Sequence, residues 1–311
     1  MTILAIWLEG TRPKTLIASV SPVLIGTTIA LEQGKFHFLI FLATLLFALL
    51  IQIGTNFAND YFDFLKGADT KERKGPRRLV QSKLVTPKTM KLATHLIFTL
   101  AGLIALYLVS IGGLWIAGPL LLSILLGYLY TAGPYPLAYL GISDLFVFVF
   151  FGLIATTGTT YLQTGTLELT ALIAGMGPGF LSMAILVLNN MRDIEEDRKA
   201  NKKTLPVRFG LTVAKFEYTC CLIGAALIPV TLIALTGKHA LLLLTWAFLI
   251  PGLPLLKTLF QEKTTQGLVL LFPKTGKLLI IYTLLFVIGY LVPASTTFAT
   301  SSYSRAAGFP A

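Results

Sequence analysis

In a chain of 311 residues, a 55% share of hydrophobic residues against 13% charged excludes an ordinary soluble globular protein, where roughly a quarter of residues carry charge. A net charge of +11 on so greasy a chain fits basic loops beside anionic lipid and excludes nucleic-acid binding as the reason for the base. The mean hydropathy of +0.79 predicts an all-α polytopic membrane protein.

Windows of roughly 19 residues place nine spans near 15–31, 38–58, 90–110, 113–130, 142–162, 170–189, 213–235, 239–257 and 278–296. They read as nine transmembrane helices, two four-helix halves plus a ninth helix, in a single membrane domain over 1–297, with a polar C-terminal tail over 298–311. No cleavable leader is evident before the first run, so its helix is expected to be retained. With the N-terminus in the cytoplasm, 22 of the 25 Lys and Arg fall on the cytoplasmic side. Only Lys35, Lys238 and Arg305 fall outside. This is the positive-inside pattern, and it predicts a multi-pass protein of the cytoplasmic (inner) membrane with its active-site loops facing the cytoplasm.

After the second span comes Asn59-Asp60-Tyr61-Phe62-Asp63, running on to Asp69. Asn56, Asn59 and Asp63 share a helical face, whereas Asp60 is rotated away by about 100°; Gly67 then predicts the helix end. After the fourth span, Tyr128, Tyr130 and Tyr135 cluster, with Tyr130 the expected cation-stabilising ring. Asp144, at the start of the fifth span, reads as a helix cap, and Gly152, Ala155, Thr156 and Gly158 within that span read as close helix packing. After the sixth span comes Asn189-Asn190-Met191-Arg192-Asp193, running on to Asp197. Asn189, Asp193 and Asp197 share one face if the helix continues past the membrane. With Glu72 just beyond Asp69, the two stretches hold eight of the fourteen carboxylates. Adjacent Cys220 and Cys221 are read as packing residues, and His37, His95 and His239 lack ligand spacing.

Acids gathered at one membrane face and mixed with base suit a hard divalent cation and an anionic ligand. Mg²⁺ typically binds through one or two carboxylates plus substrate phosphates. Arg73, Arg77, Arg78, Arg192, Lys202 and Lys203 are the candidates for diphosphate or acceptor carboxylate. A transporter is the alternative of a different class, but it would put charges near the bilayer midplane.

The pattern resembles the UbiA superfamily of intramembrane prenyltransferases, which carry N-D-x-x-D-x-x-x-D after the second helix and D-x-x-x-D after the sixth. Asp69 arrives two residues later than the general pattern. That spacing, with Gly67-x-Asp69, Arg73-x-Gly75-Pro76-x-Arg78 and Lys203-Thr204-Leu205-x-Val207-x-x-Gly210, is similar to the 1,4-dihydroxy-2-naphthoate polyprenyltransferase branch. Ser82-Lys83 departs from it, where Ser-Gly is expected. The resemblance implies Mg²⁺ as cofactor, held by Asn59, Asp60, Asp63, Asp69, Asn189, Asp193 and Asp197. It implies polyprenyl diphosphate and an aromatic acceptor as partners, and decarboxylating prenyl transfer in menaquinone biosynthesis, with Asp63, Asp193, Asp197 and Tyr130 catalytic. Other acceptors, such as 4-hydroxybenzoate or homogentisate, would share the metal chemistry.

Overall fold

The computed structural model describes residues 2–68, 75–262 and 264–292. The tail predicted over 298–311 and the candidates Asp69 and Arg73 lie outside these residues. In chain order the helices are α1 (Ile3–Thr11), α2 (Pro13–Glu32), α3 (Phe38–Leu65), α4 (Pro87–Gly112), α5 (Leu114–Leu129), α6 (Leu137–Leu140) and α7 (Ser143–Phe148). A π-helical stretch, Val149–Ile154, joins α7 to α8 (Ala155–Thr164). Then come α9 (Leu169–Arg192), α10 (Ile194–Lys199), α11 (Leu205–Thr236), a 3₁₀ stretch Ala240–Phe248, α12 (Leu249–Gln261) and α13 (Thr265–Leu291). Among the described residues there is no strand, as a bilayer requires of a chain that is not a closed barrel.

Eight helical spans among the described residues are long and apolar enough to cross a membrane, and a ninth apolar helix, α5, is shorter. Their surfaces carry exposed Leu, Ile, Phe and Trp, for example Leu114, Trp115 and Ile250, as expected where the solvent is lipid.

The two main cores do not follow the halves of the chain. Phe47, Ala101, Leu108, Ile116 and Leu162 form one, which draws α8 onto α3, α4 and α5. The larger core joins Ile25 and Ile29 of α2 to Leu181 and Leu188 of α9, Tyr218 of α11 and Tyr282 and Phe286 of α13. The last helix therefore packs against the first span, and the bundle closes on itself. Small residues make the closest crossings: a Cβ on Gly152 would lie 2.6 Å from Gly175 O, and Gly179 Cα is 2.7 Å from the same point.

Of the two helix ends that bear on function, one follows the sequence reading and one departs from it. α3 continues to Leu65, so Asn59 and Asp63 are helical; the chain then turns at Gly67 with φ +67°, as expected. α9, by contrast, stops at Arg192, and Asp193 leaves helical geometry with φ −94° and ψ 12°. Asn189, Asp193 and Asp197 thus do not lie on one continuous helix.

Candidate active site

The site grows from the ends of α3 and α9. Asp60 and Asp63 are both buried near the end of α3 but point to different partners. Asp60 accepts the backbone N–H groups of Leu79 (2.7 Å) and Val80 (3.0 Å). Each of its oxygens thus accepts from the returning loop, so Asp60, one of the expected metal ligands, fixes that turn. That anchorage brings the buried Arg78 beside Asp63, where Nη2 donates to Oδ2 at 3.0 Å.

The next tie runs to the loop after α5. Thr131 Oγ1 donates to Asn59 Oδ1 at 2.9 Å, and Lys66 Nζ donates to the Thr131 carbonyl at 2.6 Å. Burial lowers the pKa of Lys66, with Asp63 opposing and Lys202 adding to the effect. Tyr139, on α6, was absent from the sequence reading. Its hydroxyl donates to Asp63 Oδ1 at 3.3 Å, and its ring lies between Lys66 (4.8 Å) and Lys202 (5.0 Å). Lys202 Nζ reaches Asp63 Oδ2 at 3.3 Å.

At the end of α9, Arg192 grips Asp193 through Nε–Oδ1 and Nη2–Oδ2, each 2.6 Å, and also donates to Asn189 Oδ1. Its guanidinium stands 5.7 Å from the Phe272 ring centroid. α10 then closes a short circuit in which Asp197 N bonds Asp193 O, Lys202 N bonds Asp197 O, and Thr204 Oγ1 meets Asp197 Oδ2. This circuit aims Lys202 back at Asp63. The structure therefore gathers Asn59, Asp63, Arg78 and Lys202 in one group and Asn189, Arg192 and Asp193 in another. Arg77 and Lys203 lie on the exposed side.

Both groups border one cavity of about 270 Å³. Asn59, Asn189, Arg192, Tyr130, Arg12 and Pro76 line its polar end, while Val23, Phe47, Leu120, Phe151 and Leu162 are among its apolar lining residues. From Asn59 to Thr44 along α3 the lining descends roughly 22 Å at about 1.5 Å per residue. Tyr130, the ring singled out from sequence, lines it; Tyr128 packs instead among Phe62, His95 and Phe98, and Tyr135 is 80% exposed. Of the small residues in the fifth span, Ala155 and Gly158 line the cavity, Gly152 packs on α9, and Thr156 is fully buried.

The available donors are carboxylate and amide oxygens, without thiolate or imidazole among the residues gathered here. Among the described residues no three His, Cys, Asp or Glu side chains form a metal-holding group by themselves. Carboxylate and amide oxygens suit a hard cation, which completes its shell with phosphate and water.

Ser82-Lys83 also finds a physical setting. Lys83 adopts φ +60°, the left-handed conformation in which Gly meets no steric cost. The glycine expected there would have served the turn that Asp60 caps.

The UbiA prenyltransferase family model matches residues 19–268. The chain is 36% identical over 294 residues to a 1,4-dihydroxy-2-naphthoate octaprenyltransferase of Escherichia coli, covering 91% of this chain and 94% of the relative. It is also 36% identical to the enzyme of the same name from Mycobacterium tuberculosis, over 76% of this chain and 80% of that one. A UbiA homologue from Archaeoglobus fulgidus, solved bound to DMAPP and Mg²⁺, shares the fold with a TM-score of 0.64 at 13% identity, covering 92% of this chain and 98% of that one. With the family model spanning residues 19–268 and relatives of the family 36% identical over most of the chain, this chain belongs to the UbiA prenyltransferase family.

Proposed function

We propose that this protein transfers a polyprenyl group from polyprenyl diphosphate to 1,4-dihydroxy-2-naphthoate, with loss of the acceptor carboxylate as carbon dioxide, in menaquinone biosynthesis. The observation that carries the reading is one cavity with Asn59, Asn189 and Arg192 at its polar end, beside the ion pairs of Asp63 and Asp193, and apolar walls at the other. The similarity to a relative of that activity over 91% of the chain supports the acceptor. We also assign one membrane domain to 1–297, α5 to the ninth crossing, and the site to the cytoplasmic face of the inner membrane, as the Lys and Arg distribution supports.

Asp63, with Asn59 and Asp69, and Asp193, with Asn189 and Asp197, would hold Mg²⁺. When bound, Mg²⁺ supplies positive charge against the leaving diphosphate. Arg78, Lys202 and Arg192 now neutralise Asp63 and Asp193; with substrate present, their N–H groups are placed to turn to phosphate oxygens instead. As the allylic C–O bond breaks, its electron pair leaves with the diphosphate. These cations are already organised for that charge, in a buried site where electrostatics count most. Tyr130, Phe150 and Phe151 offer ring faces to the allylic cation, and the apolar walls keep water from capturing it. The ring carbon then forms the new C–C bond. Breaking of its bond to the carboxylate carbon returns the electron pair to the ring, and carbon dioxide departs.

The test is prenyl transfer by purified protein in detergent, with dihydroxynaphthoate and 4-hydroxybenzoate competing, with and without Mg²⁺. Magnesium-dependent prenylation of dihydroxynaphthoate is expected. Transfer to 4-hydroxybenzoate alone would overturn the acceptor assignment and leave the leaving-group chemistry intact.

A further inference from the structure

A second cavity, of about 380 Å³, lies apart from the prenyl site and is bordered by Gly141, Ile142, Asp144, Leu145, Phe148, Phe180, Met183, Leu205 and Glu217. Two carboxylates face an otherwise apolar lining. Asp144 is 3% exposed; Asn190 Nδ2 donates to its Oδ1 at 3.4 Å, and its Oδ2 has no hydrogen-bond partner. It is not the helix cap its position suggested: Ile142 occupies the N-cap of α7, and Asp144 lies in the first turn. Glu217, within the apolar helix α11, also buries an oxygen, Oε2, without a partner.

Buried carboxylate oxygens in apolar surroundings are satisfied by a proton or by a paired cation, and a pair of them facing one cavity favours the cation. Neither acid has a basic partner among the described residues, and no third acid, His or Cys joins them to make a metal group. The lining describes the missing cation. Phe148 and Phe180, with centroids 4.7 Å apart, form an aromatic wall suited to an organic ammonium. Ile142 and Leu145, 42% and 62% exposed, open the rim towards lipid. Beside that rim Arg208 crosses Gly141, its Nη2 bonded to the Leu140 carbonyl, leaving the rest of an exposed guanidinium for an anion.

We propose that this cavity holds an aminophospholipid headgroup, its primary ammonium between Asp144 and Glu217 and its phosphate towards Arg208. Through Asn190 the occupant bears on the end of α9, which carries Asn189, Arg192 and Asp193.

Native mass spectrometry of protein released from nanodiscs of equimolar phosphatidylethanolamine, phosphatidylcholine and phosphatidylglycerol tests this. Wild type is expected to retain phosphatidylethanolamine preferentially. In Asp144→Asn/Glu217→Gln that preference should fall about tenfold, the loss expected for a charge-assisted contact. Glu217→Gln alone, at the half-buried position, should lower it in the same direction and keeps the test valid if the double variant does not fold. Arg208→Ala should weaken retention of all three lipids. Equal retention of phosphatidylglycerol by wild type, or a preference unchanged in Glu217→Gln, would overturn the proposal.

Discussion

Lys202 Nζ lies 3.3 Å from Asp63 Oδ2 across 139 residues of sequence, so one ion pair joins the acidic end of α3 to the basic loop after α10. Each stretch alone is a charged helix end. Joined, they make a charged group in which, on the proposed mechanism, the same cations would serve the protein's carboxylates and then the substrate's phosphates. Asp63→Asn and Asp193→Asn are each expected to lower kcat about 100-fold or more. Lys202→Ala should mainly raise KM for the prenyl diphosphate. Steady-state kinetics in detergent, with both substrates varied, separates the two.

Asp60 should behave differently from Asp63, three positions on. Asp60→Asn places an amide where two backbone N–H groups seek acceptors, which costs about 1–3 kcal/mol of stability. The magnesium concentration giving half-maximal activity is expected to stay near wild type in Asp60→Asn and to rise in Asp63→Asn. Magnesium titration alongside thermal unfolding reads both.

Gly152 and Gly158 make a second contrasting pair. Gly152→Ala drives a methyl into the α9 backbone at 2.6 Å and should destabilise the bundle by roughly 1–3 kcal/mol, as overpacking does. A Cβ on Gly158 meets only Ile116 Cδ1 at 3.5 Å, beside the cavity. Gly158→Leu is therefore expected to leave stability near wild type and to shorten the longest prenyl diphosphate accepted. Product analysis across a series of prenyl donors checks this.

The spans were legible because lipid exposure writes itself as long apolar runs, and the start of α3 at Phe38 coincides with the predicted span. α13 was not: predicted from 278, it begins at Thr265, since Pro273 and Lys274 interrupt the hydropathy that packing sustains. The acidic stretches were legible from composition. The division of labour within them was not, because Asp60 and Asp63 differ only in which loop folds back to meet each. Tyr139 escaped notice because its role depends on Asp63, Lys66 and Lys202, three residues distant from it in sequence. Asp144 carried a capping signal, yet its surroundings come from α9 and α11.

Lys83 offers a stabilising change. Lys83→Gly relieves a left-handed non-glycine conformation, and after the entropy added to the unfolded chain the net gain should be about 0.5 kcal/mol. A higher unfolding temperature in detergent with unchanged kcat is expected.

The π-helical stretch at 149–154 governs how this span can vary in length. Its i→i+5 bonding accommodates one residue more than an α-helix would, and each residue of an α-helix advances the facing by about 100°. Deleting one residue there would restore regular winding and leave the facing of α7 and α8 nearly unchanged, because the π-helical stretch is where the extra residue is taken up. Deleting one from the regular turns of α8 has no such slack: Phe146 and Phe150, stacked with centroids 6.2 Å apart, would part company with Gly158 around the shared cavity. Related chains that keep this cavity are therefore expected to differ in residue count, where they differ, within 149–154.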